Sequence, residues 1–285
     1  MPADIRNTDR RGWNDLVRPS MVHLGDVIGR LGLLAHSVRL VFSSGAAASR
    51  LNESVVRKYS VPIEVDEHRR QALAGPTSRQ AALLDAHLLA GDRVVDIGCA
   101  VGRHSFEVAR RGHAVVGVDV TEAMVRAALP LAQEWGLDVR FAVMDARGLA
   151  FRDAAFDTAV MFGSVLSHVP GRDGRLAALR EAHRVLRRGG RLLVETQSRT
   201  SGAGYRWFFA LTAAVRRGLA LLGRRPAWDV GDRYGIVVSG VRSPERVYYH
   251  MYAPDELERD LRSVGFHPIA VDTRLYLMHY VGVKR

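Results

Sequence analysis

The chain has 285 residues, with 41 lysines and arginines against 30 acids, for a formal net charge of +11. At 47% hydrophobic and 25% charged residues the composition is globular, which excludes a disordered tail or a collagen-like fibre. The single cysteine, Cys99, excludes an intramolecular disulfide framework, and the charge is an arginine excess (Lys58 and Lys284 are the only lysines), so the total alone singles out no nucleic-acid partner.

Residues 1–75 read as an N-terminal helical cap. Met1 to Trp13 has no apolar core of an export signal. Leu24, Val27, Ile28, Leu31, Leu34, Val38 and Val41 follow the spacing of one amphipathic helix, along which Gly25, Gly29 and Gly32 permit close packing.

Residues 76 to about 197 alternate helix and strand. Thr77 or Ser78 caps a predicted helix that runs to about Leu89, where Gly91 stops it. Strands are predicted at 93–97, 114–118, 139–143, 158–162 and 191–195, with helices at 102–111, 121–134 and 173–187. The strands are short apolar runs, as a parallel sheet covered on both faces requires. An insertion, 198–246, rich in arginine, glycine and aromatics, follows the fifth strand. A helix at 254–263 and strands at 268–272 and 275–283 close the chain. The expected fold is α/β: a Rossmann-like, doubly wound, seven-stranded sheet whose last two strands form a hairpin, with the helical cap before it and a helical insertion inside it.

The chemistry-bearing residues sit at strand ends. Asp96, Gly98, Cys99, Ala100 and Gly102 follow the first strand. Glycines between a strand and a helix let the backbone approach a ligand, and the helix N-terminus offers free N–H groups. The four-residue spacing of Gly98 and Gly102 differs from the G-x-G-x-x-G dinucleotide fingerprint, which argues against a nicotinamide-dependent oxidoreductase. Asp119 ends the second strand and can accept both hydroxyls of a ribose; Asp145 ends the third and can accept from an exocyclic amine. Three acids on one sheet edge point to a ligand with a ribose, an amine-bearing base and an amino-acid-like end.

Taken with Phe156-Asp157, Gly163 to His168 and Glu181 to Gly190, these motifs resemble the class I S-adenosylmethionine-dependent methyltransferase family over residues 76–197. The resemblance implies S-adenosylmethionine as cofactor and residues 76–285 as the methyltransferase domain. It places Asp96, Gly98, Cys99 and Gly102 around the methionine part, Asp119 with Val120 at the ribose and Met124 against the adenine. Asp145 and Ala146 read the adenine edge, and Phe162 completes the pocket. Ala100 departs from the family, which usually carries glycine there, and its methyl group resists a positive φ.

His168, just beyond the fourth strand, is the candidate for orienting the acceptor or taking its proton. The lone cysteine forbids a common zinc site, and no metal is expected. Segment 203–226 carries Tyr205, Trp207, Phe208 and Phe209 with five arginines and no acid. It reads as a lid of two helices over a small-molecule substrate, as an RNA-binding insert or as a helix on a membrane surface. Arg246 to His250 resembles a segment of transfer-RNA wobble-uridine methyltransferases. A non-catalytic cofactor-binding protein is the further alternative. The apolar run from Trp207 to Val215 is broken by Arg216 and Arg217 well short of the ~18–20 residues that a membrane span needs, so a cytoplasmic, soluble protein is expected.

Overall fold

The computed structural model describes residues 47–224, 228–235, 247–273 and 276–285. The helix predicted over 24–41 lies outside them. All the described elements belong to one unit of the chain, Ser44–Arg285.

That unit begins with α1 (Ala47–Ser60) and α2 (Pro62–Ala74). Pro62 starts α2 with a φ already suited to a helix, and the fully buried Lys58–Glu64 ion pair ties the two helices together. Then comes α3 (Ser78–His87), capped by Thr77: its hydroxyl accepts from the Gln80 N–H (3.3 Å), and the Gln80 side chain accepts from the Thr77 N–H (3.0 Å). The helix stops two residues before Leu89, because the Asp92 carboxylate captures the Leu89 N–H (3.0 Å).

The next elements are β1 (Arg93–Ile97), α4 (Arg103–Arg110), β2 (Ala114–Asp119), α5 (Glu122–Glu134), β3 (Val139–Val143) and β4 (Phe156–Met161). A short helix α6 (Val165–His168) leads to α7 (Arg172–Val185) and β5 (Leu186–Gln197). The chain continues through α8 (Ala203–Leu221), β6 (Asp232–Gly235), β7 (Val247–His250), α9 (Pro254–Ser263), β8 (Phe266–Asp272) and β9 (Leu277–Lys284).

Seven strands form one sheet in the order β3-β2-β1-β4-β5-β9-β8. The first five are parallel, and β8 and β9 form the expected antiparallel hairpin. Strand β5 is longer than its apolar run, because β9 pairs with it from Arg191 through Gln197. Helix α7 ends at Val185 because Leu186 already pairs with Phe156 of β4.

Apolar side chains cover both faces. Leu179, Ala182 and Leu261 pack on one, and Leu84, Phe106, Met124 and Leu131 on the other. The order reverses between β1 and β4, so a crevice opens at the carboxyl ends of these strands.

The insertion differs from a pair of helices. Among the described residues it holds one long helix, α8, and then β6, which pairs antiparallel with β7 in a separate two-stranded sheet. Asp232-Arg-Tyr-Gly235 has no alternating apolar pattern, so the strand arises from its partner rather than from a local signal.

Candidate active site

A cleft open to solvent lies at the carboxyl edge of the sheet. Its floor comes from the loops after β1, β2, β3 and β4: Gly98, Ala100, Asp119 to Thr121, Met144 to Arg147, and Gly163. Met124 of α5 and Val165 and His168 of α6 close its sides, and Asn52, Val55, Tyr59 and His68 of α1 and α2 line it from above.

The loop after β1 is held tightly. Gly98 and Cys99 both donate their N–H groups to the Val118 carbonyl, at 2.7 and 3.0 Å. Gly98 has φ +75°, and a Cβ there would come within 2.2 Å of a Val165 methyl. Only glycine fits. Ala100 takes φ +46°, the left-handed region that its methyl group resists. It is held there because its N–H donates to Asp119 Oδ2 (2.9 Å).

Asp119 Oδ1 accepts the Thr121 N–H (2.8 Å), so each carboxylate oxygen has one backbone donor and keeps a further lone pair. Burial pushes the Asp119 carboxyl above its ordinary pKa, against the hydrogen bonds from Thr121 and Ala100.

Asp145 also lines the cleft, but its carboxylate is gripped by its neighbour. Arg147 donates its N–H and its Nε to Oδ1 (2.9 Å each), and its Nη2 to Oδ2. Burial raises the carboxyl, yet the bonds from Arg147 outweigh it and hold the pKa below the usual value.

Asp96 lies beneath the floor. It is buried and accepts from the Ser105 hydroxyl (2.7 Å), while its Oδ1 has no partner. Burial lifts its pKa to about 7, opposed by Ser105 and helped by Asp119. Cys99 is buried too, and burial pushes its thiol well up. Gly102 turns the chain into α4 with φ +86°. Phe162 packs inward, edge-on to His104 (5.2 Å between rings). The structure thus brings Gly98, Asp119, Val120, Met124, Asp145, Ala146 and His168 to the cleft wall, and places Asp96, Cys99, Gly102 and Phe162 in the layer behind it.

His168 sits between two elements distant in sequence. Its Nδ1 is 2.9 Å from the Tyr248 carbonyl, and its Nε2 is 2.9 Å from the Tyr59 hydroxyl. A carbonyl only accepts, so Nδ1 carries the proton and Nε2 accepts from the Tyr59 O–H. Burial drives the His168 pKa down to about 4, with the Tyr248 carbonyl working the other way. Burial, with Glu64 and Asp119, raises the Tyr59 hydroxyl far above its ordinary value.

Glu195, at the end of β5, accepts from the Gly163 N–H (3.0 Å), Gln80 (3.1 Å) and His279 (2.8 Å), which fixes the turn after β4. Tyr59, Asn52, His68 and Glu195 carry no motif in the sequence. A buried acid in an apolar strand, Glu195, is the one local signal among them.

The carbonyl that orients His168 belongs to a second polar cluster. Buried Arg175 donates to Asp229 (2.8 Å) and to the Tyr248 hydroxyl (2.8 Å). His250 bridges Asp232 (2.7 Å) and Glu256 (3.1 Å), so both ring nitrogens donate. Burial and Arg175 disfavour the charged ring, but the two carboxylates prevail and its pKa is raised. Tyr248 and His250 therefore serve this internal network and not an outer surface. Asp229, Asp232 and His250 bring ligand atoms within 4.8 Å of one another, yet Arg175, Arg216 and the Tyr248 hydroxyl already bind these carboxylates. The arginines of the insertion are not all unopposed: Arg216 pairs with Asp229 at 3.1 Å.

Residues 94–190 match the family described as "Methyltransferase domain". A 27-O-demethylrifamycin SV methyltransferase of Amycolatopsis mediterranei is 39% identical over 119 residues, 41% of this chain and 42% of that protein. A ubiquinone biosynthesis O-methyltransferase of Xanthomonas axonopodis pv. citri is 34% identical over 114 residues, 40% of this chain and 46% of that one. The chain thus spans about half the length of the curated relatives it matches. Among solved structures, the 1,6-didemethyltoxoflavin-N1-methyltransferase of Burkholderia thailandensis, with bound 1,6-didemethyltoxoflavin and S-adenosylhomocysteine, shares the fold. The TM-score is 0.57 at 22% identity, over 85% of this chain and 90% of that one.

Proposed function

We infer, from the match of residues 94–190 to the methyltransferase-domain family, that this chain is a class I S-adenosylmethionine-dependent methyltransferase that transfers a methyl group to a small organic acceptor. One observation carries the reading: Asp119 and Asp145, at the ends of adjacent strands, line the same cleft at the carboxyl edge of the sheet. The small-molecule acceptor is supported by the rifamycin, ubiquinone and toxoflavin enzymes to which the chain is similar.

The residues present fit S-adenosylmethionine. The spare lone pairs of Asp119 match two vicinal ribose hydroxyls, and Val120, Met124, Met144 and Ala146 offer an apolar slot for a base. The unpartnered Asp96 Oδ1 leaves an acceptor beneath the loop that would hold the amino-acid end. Bound there, the cofactor supplies an activated methyl group on sulfur.

The chain's own residues must then align the acceptor and accept a proton when the acceptor carries one. His168 and Tyr59 occupy the wall suited to that work. Tyr59 Oη can accept a hydrogen bond from an acceptor hydroxyl while donating to His168 Nε2, the lone pair available for a proton. A pKa of about 4 makes His168 a weak base, matched to an acidic phenol or enol better than to an alkyl alcohol.

Calorimetric titration with S-adenosylhomocysteine tests the cofactor site. The wild type should bind, and Asp119→Ala should lose roughly 100-fold in affinity, or about 2–3 kcal/mol, through unpaired hydroxyls. A folded wild type that binds none, or an Asp119→Ala variant at wild-type affinity, overturns the reading. Incubation with labelled cofactor and a fractionated extract then separates acceptors, with label expected in the small-molecule fraction and not in RNA.

A further inference from the structure

We propose that α8 lies in the plane of an anionic lipid bilayer and anchors the protein to it. The inward side of α8 is seated on the protein: Phe209 is 4% exposed. The outward side is a continuous apolar face with nothing described against it. Trp207 is 72% exposed, Leu211 42%, Val215 46% and Leu221 89%. At 3.6 residues per turn these four share one face, and the exposed Arg206 and Arg217 border it along one edge.

The charge of the segment decides the occupant. From Thr196 to Trp228 there is no aspartate or glutamate. A partner must therefore be apolar across the face and negative at its rim. An anionic bilayer is both: the apolar side chains enter the acyl boundary while the arginine stems reach back to the phosphates. A second copy of the chain is a poor match, because a twofold contact would set arginines against arginines on molecules that each carry +11. No helix among the described residues is long and apolar enough to cross a membrane, so the proposed contact is with the bilayer surface.

The test is co-sedimentation of the full chain with two vesicle preparations, pure phosphatidylcholine and phosphatidylcholine containing phosphatidylglycerol. The wild type should bind the anionic vesicles, with binding weakened by salt and a blue shift of tryptophan emission that Trp207→Ser removes. Leu211→Glu should bind about tenfold more weakly. Arg206→Gln with Arg217→Gln should abolish the preference for anionic lipid. Circular dichroism and S-adenosylhomocysteine affinity, read on the same samples, should be unchanged, which separates this proposal from the reading of the cleft. A wild type that ignores anionic vesicles overturns it. So does a Leu211→Glu variant that binds like the wild type, or light scattering that shows a wild-type dimer which Leu211→Glu dissociates.

Discussion

The Tyr59 hydroxyl of α1 donates to His168 Nε2 across 2.9 Å, joining two residues 109 positions apart in the chain. The Tyr248 carbonyl fixes the opposite ring nitrogen, so the imidazole has one orientation and one tautomer. If this pair steers the acceptor, Tyr59→Phe should lower methyl transfer roughly 10²-fold at unchanged S-adenosylhomocysteine affinity. His168→Gln should do the same. Equal losses in both variants and in the double variant would mark one unit, whereas full turnover in either single variant would reduce the pair to wall packing.

Arg147 covers the carboxylate of Asp145. Any base amine that binds Asp145 must share it with this half-exposed guanidinium. Arg147→Gln should therefore tighten S-adenosylhomocysteine binding, by about fivefold given the solvent screening of the pair. Asp145→Asn should weaken it. Calorimetry on the two variants checks both signs, and tighter binding in Asp145→Asn would contradict the assignment.

Ala100 adopts φ +46°, a conformation the sequence alone argues against. The Asp119 carboxylate draws the Ala100 N–H into place, so the loop keeps the shape that a glycine would take. The left-handed region costs alanine about 1–2 kcal/mol, while glycine gives back about 0.4–1 kcal/mol through its freer unfolded chain. Ala100→Gly should thus stabilise the protein by a few tenths to about 1 kcal/mol in urea unfolding. A clear loss of stability would show that the methyl group has a packing role that outweighs the strain.

Burial, followed by Arg103, lowers the His104 pKa to about 4 from its usual 6.5, and its Nε2 lacks a partner. The unfolded chain therefore binds more protons between these values, and the contribution of His104 to stability falls as pH drops from 6.5 toward 4. His104→Phe lacks this loss. The stability of the variant relative to wild type should be constant above pH 7 and rise on acidification, by up to roughly 2–3 kcal/mol at pH 4. A pH-independent difference in Tm would contradict the buried neutral imidazole.

The sheet was readable because each of its strands is announced locally. Arg93–Ile97, Ala114–Asp119 and Val139–Val143 are apolar runs that end in or beside the acids, and glycines start or stop the helices between them. The floor of the cleft was readable for the same reason: Gly98, Asp119 and Asp145 sit at strand ends, and a parallel sheet carries all such ends to one edge. The two-stranded β6–β7 sheet was not. Asp232-Arg-Tyr-Gly235 becomes a strand only when Val247–His250 lies beside it.

The sequence by itself determined the sheet, its hairpin and the acids that meet at its carboxyl edge, since these follow from short-range patterning and chain-order rules. The tertiary structure alone decided what lies above them. Tyr59 reaches His168 from 109 residues away, and Gln80 reaches Glu195 from 115. It also decided that, within the insertion, Arg216 pairs with Asp229 and Arg199 with Glu256, while Arg206 and Arg217 rim an apolar face. Such contacts leave no periodicity to read. They depend on which helix faces meet once the sheet has formed, and that is settled by the packing of whole elements rather than by neighbours in the chain.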